Sequence, residues 1–278
     1  MKKGPFLDRN WMGQNNNYNT SDIIMMGIPF DGTVSYRSGA RFAPEMIRLA
    51  SWGLETYSPL FDKNLEEVNF HDAGDLDLPL GNTQKSLAMI KENVEQIYSD
   101  GKLFFGIGGE HLVTLSIIEA VFEFYKNLAI VHFDAHTDLR QEYLGEEMSH
   151  SAVMYHIGML IGFENIKQIG IRSGTKEEFE IMEANNTRLD FPEQLSKLKN
   201  KNVFVTIDLD VLDPSIMPGT GTPEGGGLTF NELMNWIKEL KGLNIVGADV
   251  VELSPHYDAS GVSTAVAAKV IRELLMCF

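Results

Sequence analysis

A chain of 278 residues, 44% of them hydrophobic, can bury one large core or at most two. Its net charge of -16 argues against nucleic acid or an anionic membrane surface as partner and leans weakly toward a cationic ligand. The single cysteine, Cys277, permits no internal disulfide and suits a reducing compartment.

Residues 1–8 lack the apolar stretch of a signal peptide, and no run reaches the length of a membrane span, so the expected location is the cytoplasm. The Asn15-Asn16-Asn17 cluster reads as a polar surface loop. The first predicted strand covers 23–28 and is followed by predicted helices over 43–51 and 83–99. A strand over 103–107 runs into Gly108-Gly109-Glu110-His111 and a helix over 112–126. The strand over 128–133 feeds Asp134-Ala135-His136-Thr137-Asp138, with a helix over 151–162 beyond. Then come a strand over 166–171, a helix over 176–185, and a strand over 203–207 that ends in Asp208-Leu209-Asp210. A helix over 230–240, a strand over 245–251 and a helix over 261–275 complete the chain. Thr229 with Glu232 three residues on is a capping-box pattern. Repeated strand–helix units predict an α/β fold: three α/β/α layers around a mostly parallel sheet, as a single domain over 1–278.

In such sheets, ligand sites collect beyond the carboxyl ends of the strands. Alternate residues of extended backbone point the same way, so Asp134, His136 and Asp138 are expected to project together, as are Asp208 and Asp210. Unpaired carboxylates at buried strand ends are strongly penalised unless something neutralises them. The clustering predicts a double divalent-metal site with His111, Asp134, His136, Asp138, Asp208 and Asp210 as ligands. Four carboxylates balance two divalent cations, and oxygen-rich ligation with two imidazoles and no thiolate suits manganese better than structural zinc. Cobalt, iron and zinc also fit such ligands. A loop or cap role is the ordinary expectation for any one of these residues, and their coincidence at three strand ends is what opposes it. Glu110 and Asp213 read as structural, and His132 as a packed neighbour of Asp134. His71, His156 and His256 have no motif around them.

The combination of Gly108-Gly109-Glu110-His111, Asp134-Ala-His136-Thr-Asp138, Ser149-His150 and Asp208-Leu-Asp210-Val-Leu-Asp213-Pro214 resembles the ureohydrolase family of arginases and agmatinases. The resemblance runs from Gly27-Ile-Pro-Phe-Asp31 to Glu252-Leu-Ser-Pro255. It implies an arginase-like fold, two manganese ions per chain, hydrolysis of a guanidino compound to urea and an amine, and a homo-oligomer, usually a trimer or hexamer. Carried over by position, His111, Asp134, Asp138 and Asp208 hold one ion and Asp134, His136, Asp208 and Asp210 the other. A metal-bridging hydroxide then attacks the guanidinium carbon. Glu252 matches the glutamate that grips the guanidinium, and His150 the histidine that moves a proton.

The substrate reading turns on the segment after Asp138. Arginases carry an asparagine two positions beyond this motif, and here the residue is Arg140. Glu142, Glu146 and Glu147 make the loop acidic, which suits the distal ammonium of agmatine, and the tract from Asp213 to Gly227 looks more like agmatinases than arginases. The expectation is agmatine, cleaved to putrescine and urea, with Glu252, Arg140 and Glu142 as substrate contacts. The alternative is 4-guanidinobutyrate, whose carboxylate could pair with Arg140. Formiminoglutamate and arginine are less favoured. A non-catalytic relative is disfavoured because all six ligands are present.

Overall fold

The computed structural model describes residues 10–14 and 16–278, so Asn15 of the asparagine cluster and the leading residues 1–8 lie outside the described residues. Nine strands form among them: β1 (Ile23–Gly27), β2 (Tyr57–Ser58), β3 (Lys63–Asn64), β4 (Phe70–Asp75), β5 (Leu103–Ile107), β6 (Leu128–Phe133), β7 (Ile166–Ile169), β8 (Asn202–Asp208) and β9 (Asn244–Val251). The α-helices of the described residues are α1 (Ala43–Ser51), α2 (Thr83–Ser99), α3 (Val113–Phe124), α4 (Val153–Ile161), α5 (Lys176–Asn185), α6 (Phe230–Leu240) and α7 (Val262–Leu275). Seven strands make one sheet in the order β4-β1-β5-β9-β8-β6-β7. Every pairing in it is parallel. β2 and β3 form a small separate hairpin.

The pleat explains the layers. On β1, Ile23 and Met25 face one apolar core, together with Phe105, Val131, Val205 and side chains of α1, α6 and α7. Ile24 and Met26 face the other, with Phe104, Ile130, Phe204 and side chains of α2, α3, α4 and α5. Strands covered on both faces must be apolar on both, which is why the predicted strands read as continuous hydrophobic runs. The Thr229 capping box is present: Glu232 N–H donates to Thr229 Oγ1 (3.3 Å) and Thr229 N–H to Glu232 Oε2 (2.7 Å).

The hairpin strands β2 and β3, the edge strand β4 and the end of β7 differ from the sequence expectation. β4 was not predicted, because Phe70 is the sole large apolar residue of Phe-His-Asp-Ala-Gly-Asp; an edge strand buries less and carries a weaker signal. β7 stops at Ile169, short of 171, where Gly170 takes φ +89° and turns the chain.

The strand order determines which loops can meet. The ends of β5, β9, β8 and β6 are neighbours in the middle of the sheet, so the segments after them come together. Gly109, just past β5, lies under the end of the loop leaving β1: Glu110 N–H donates to Phe30 O at 2.7 Å. A Cβ on Gly109 would fall 1.8 Å from that same carbonyl oxygen. Gly109→Ala is therefore expected to cost about 3 kcal/mol, read as a lower urea midpoint. An unchanged midpoint would show that the backbone there has room to move.

Candidate metal centre

His111 enters from the loop after β5, and its imidazole is buried. Its Nδ1 lies 3.1 Å from Asp134 Oδ2, 3.3 Å from Asp138 Oδ2 and 3.4 Å from Asp208 Oδ2. None of these contacts has hydrogen-bond geometry, and Nδ1 has no hydrogen-bond partner. His111 Nε2 lies 3.0 Å from Thr206 Oγ1, which can accept its proton, so that when Nδ1 gives up its own proton the lone pair is directed at the carboxylates. Beside it, His136 Nδ1 stands 3.0 Å from Asp210 Oδ2 and 3.4 Å from Asp134 Oδ1. All six predicted ligands thus converge, with Asp134 between the two imidazoles.

The aspartates are held in a common way. Asp134 Oδ1 accepts the His136 N–H (2.5 Å), Asp208 Oδ1 accepts the Asp210 N–H (2.7 Å), and Asp210 Oδ1 accepts the Ala135 N–H (3.0 Å). In each, the second oxygen faces the cluster. The first two bonds are local i to i+2 turns of the kind aspartate favours. The third ties the loop after β6 to the loop after β8.

This arrangement corrects the geometric part of the sequence reading. The residues meet, but not by strand alternation: β6 ends at Phe133, Asp138 sits at φ +50°, and Leu209–Val211 is a 3-10 turn capped by Asp208. Hydrogen bonds to the backbone direct the carboxylates, and the pleat does not.

A buried chain of polar groups sets His132. Thr187 Oγ1 donates to Gln168 Oε1 (2.9 Å), which turns the Gln168 amide nitrogen toward Thr137 O (2.8 Å) and His132 Nδ1 (3.1 Å). His132 Nδ1 accepts, so Nε2 carries the proton and donates to Asp134 Oδ2 at 2.8 Å. His132 could by position join a metal cluster with His111, Asp134 and Asp138. Its donor role toward Asp134 makes it a support for a ligand instead.

The cluster opens into a cleft of about 240 Å³. His150, Glu252 and Arg140 line it. Glu252 Oε1 accepts the His111 N–H at 2.7 Å, and its backbone takes φ +68° as β9 ends. The loop residues Glu142, Glu146 and Glu147 are exposed, and Glu142 is not among the residues that line the cleft. The acidic side chain on that wall is Glu178 of α5. It caps its own helix by accepting Thr175 N–H (2.6 Å), accepts Thr137 Oγ1 (2.6 Å), and lies 3.7 Å from Arg140 Nε. Asp213 orders its turn as expected, accepting N–H groups of Ser215 (3.0 Å) and Gly226 (2.9 Å). Sequence reasoning missed Ser35, Tyr143, Ser173 and Thr222 on the cleft walls. Ser35 follows Gly27-Ile-Pro-Phe-Asp31, and nothing in a loop of small polar residues marks it as facing a histidine 115 positions away.

Electrostatically the cluster is poised for cations. Burial and neighbouring carboxylates push Asp138 and Asp208 well above the usual carboxylate range. Burial lowers the affinity of His136 for a proton, but Asp134 and Asp210 outweigh it and push the imidazole up to about 12. His111 is likewise held well above its ordinary value by Asp134 and Asp208, against burial. Burial, then Glu110, pushes Glu252 up to about 8. A protein that must keep protons on buried acids and imidazoles to limit charge is one that divalent cations can stabilise by replacing them. The orphaned Nδ1, the converging oxygens and the all-oxygen-and-imidazole donor set fit such ions.

A family model described as the arginase family matches residues 21–277. The chain is similar to the agmatinase of Bacillus subtilis (strain 168), with 49% identity over 267 residues, 93% of this chain and 92% of the relative. It is 48% identical over 268 residues to the agmatinase of Bacillus anthracis, with the same coverage of 93% and 92%. Among solved structures, it resembles the agmatine ureohydrolase of Thermoplasma volcanium with a TM-score of 0.87 at 30% identity, covering 98% of this chain and 95% of that one.

Metal ligands must be deprotonated, and here His111, His136, Asp138 and Asp208 all favour the protonated form. Binding of divalent cations is expected to release protons at neutral pH and to tighten as pH rises. Calorimetric titration with manganese in two buffers of different ionisation enthalpy reads the proton count. No net release would contradict the assigned ligand set.

Proposed function

The chain belongs to the arginase family, and from that premise we propose that it hydrolyses agmatine to putrescine and urea. The observation that carries the proposal is the convergence of His111 Nδ1 with three aspartate oxygens beside the buried Glu252 carboxylate. In this reading His111, Asp134, Asp138 and Asp208 hold one manganese ion, and Asp134, His136, Asp208 and Asp210 hold the second. Bound there, the two cations supply Lewis-acid activation of water near neutral pH.

The protein's own groups do the rest. A guanidinium beside Glu252 favours the ionised form that burial opposes; Glu252 then keeps one oxygen on the His111 N–H and offers the other to the guanidinium, so that charge-assisted hydrogen bonds orient the planar carbon. A left-handed backbone costs a non-glycine residue about 1–3 kcal/mol. At Glu252 it is held by the bond from Glu252 N–H to Gly109 O (2.8 Å). Water adds at the guanidinium carbon, the bond from that carbon to the aminobutyl nitrogen breaks, and the amine leaves with a proton. His150 moves that proton. Burial lowers its pKa, so the ring is neutral at physiological pH and free to accept one.

Arg140 decides between the two leading substrates. A free guanidinium on the wall would favour a substrate carboxylate. Here Glu178 stands 3.7 Å from Arg140 Nε, and the Arg140 guanidinium carbon lies 5.5 Å from the centre of the Tyr143 ring. With its charge matched by Glu178, Arg140 neither repels an ammonium strongly nor demands a carboxylate, which supports agmatine over 4-guanidinobutyrate. The homo-oligomer, a trimer or hexamer, belongs to the same reading. Phe42, just before α1, and Met46 and Leu49 on it support the reading: all three are exposed at helical spacing, as a subunit contact requires.

Urea release by manganese-loaded protein with agmatine, arginine, 4-guanidinobutyrate and 3-guanidinopropionate tests the reading. The highest kcat/KM is expected for agmatine; a higher value for either guanidino acid would overturn the substrate assignment. Glu252→Gln should keep both metal ions and lower kcat by about 100-fold or more. Loss of metal would instead make Glu252 a structural support.

A further inference from the structure

The loop that follows β1 reaches over the cleft and meets His150 with two hydroxyls. Its base is fixed by Asp31, which accepts the Gly39 N–H at 2.9 Å and pairs with Arg41. Thr33 Oγ1 lies 2.5 Å from Glu110 Oε1, and Thr33 N–H donates to Glu110 Oε2 at 2.8 Å. Glu110 is fully buried. Thr33 Oγ1 also accepts the His150 N–H at 3.0 Å and lies 3.4 Å from His150 Nδ1. On the other side of the ring, Ser35 Oγ lies 3.2 Å from His150 Nε2 and lines the cleft.

We propose that Thr33 is a positioning residue that, through Glu110, fixes which nitrogen of His150 carries the proton. A hydroxyl has one hydrogen to give. The Thr33 N–H and hydroxyl both reach the Glu110 carboxylate and favour its ionised form, which at 2.5 Å takes the hydroxyl hydrogen. Toward His150 the oxygen can therefore only accept, which favours a proton on Nδ1 and leaves the Nε2 lone pair on the side of Ser35 and the cleft. Ser149 Oγ, also 3.4 Å from Nδ1, can accept there as well. The same Thr33 oxygen holds the His150 backbone, so one side chain sets both the place and the tautomer of the ring. This explains why Glu110, adjacent to His111, is buried without facing the metal ligands: it orients the proton-transfer residue from behind.

The inference rests on the reading of His150 as the group that moves a proton, and the experiment separates the two. Thr33→Val keeps the shape and removes the hydroxyl; Thr33→Ala serves if the valine variant does not fold. The expected result is a fall in kcat of about 10-fold or more with KM changed less than about 2-fold, and recovery of most of the loss in Thr33→Ser. In a His150→Ala background, Thr33→Val should cost little further, since both act through one ring. Equal losses in the two backgrounds would overturn the proposal and make Thr33 a loop support. Wild-type kcat in His150→Ala alone would overturn the proton-transfer reading beneath it. Nitrogen-15 spectra of histidine-labelled protein in magnesium buffer, with His150 identified by its loss in His150→Asn, give a readout apart from turnover. They should place the proton on Nδ1 in the wild type and redistribute it in Thr33→Val. A proton on Nε2 in the wild type would contradict the assignment.

Discussion

Three aspartates at the centre of this molecule each commit one carboxylate oxygen to a backbone N–H and turn the other toward one of two neighbouring imidazoles. That division fixes carboxylates that would otherwise rotate apart to relieve their repulsion. Buried charges of one sign carry an effective penalty of several kcal/mol each, and four carboxylates together cannot all remain ionised without compensation. In the protein alone the compensation is a stronger hold on protons, raised at Asp138, Asp208, His111 and His136. Divalent cations would offer a better one, and the hydrogen bonds around the cluster hold its carboxylates in place for them.

The sheet makes this possible at a distance. His111, Asp134, Asp208 and Glu252 come from four strand ends widely separated in the chain, yet β5, β9, β8 and β6 are adjacent in the sheet. Parallel strands direct all four carboxyl ends the same way. The site then links back onto itself: Asp210 binds the Ala135 N–H, Glu252 binds the His111 N–H, and Glu252 N–H binds Gly109 O. Displacing one of these loops shifts its neighbours. Asp138 and Glu252 hold left-handed backbone at the cluster itself, while Met12, Asp62, Leu144 and Asn186 adopt it elsewhere in the chain.

How much could be read from the residues alone depends on the range of each interaction. Strands such as Leu128–Phe133 and helices such as Thr83–Ser99 are local patterns of apolar spacing, and they were legible. The six residues of the cluster were legible as a group because they fall in short motifs at strand ends. Edge strand β4 was not, because it buries little. Nor were the contacts that complete the cleft. Thr33 meets His150 across 117 positions, and the acidic group beside Arg140 proves to be Glu178, a helix-capping residue. Glu142, nearer in sequence, is exposed. The sign of charge in the loop was visible beforehand, but the direction of its side chains depends on a type of turn, with Leu144 at φ +54° and Gly145 at +86°, that composition does not specify.

Anomalous diffraction from crystals grown with manganese, recorded at its absorption edge, tests the central claim most directly. Two peaks per chain are predicted, one bound by His111 Nδ1 and the other by His136 Nδ1, with Asp134 reaching both. A single peak, or peaks away from these two imidazoles, would contradict the binuclear centre on which the function rests.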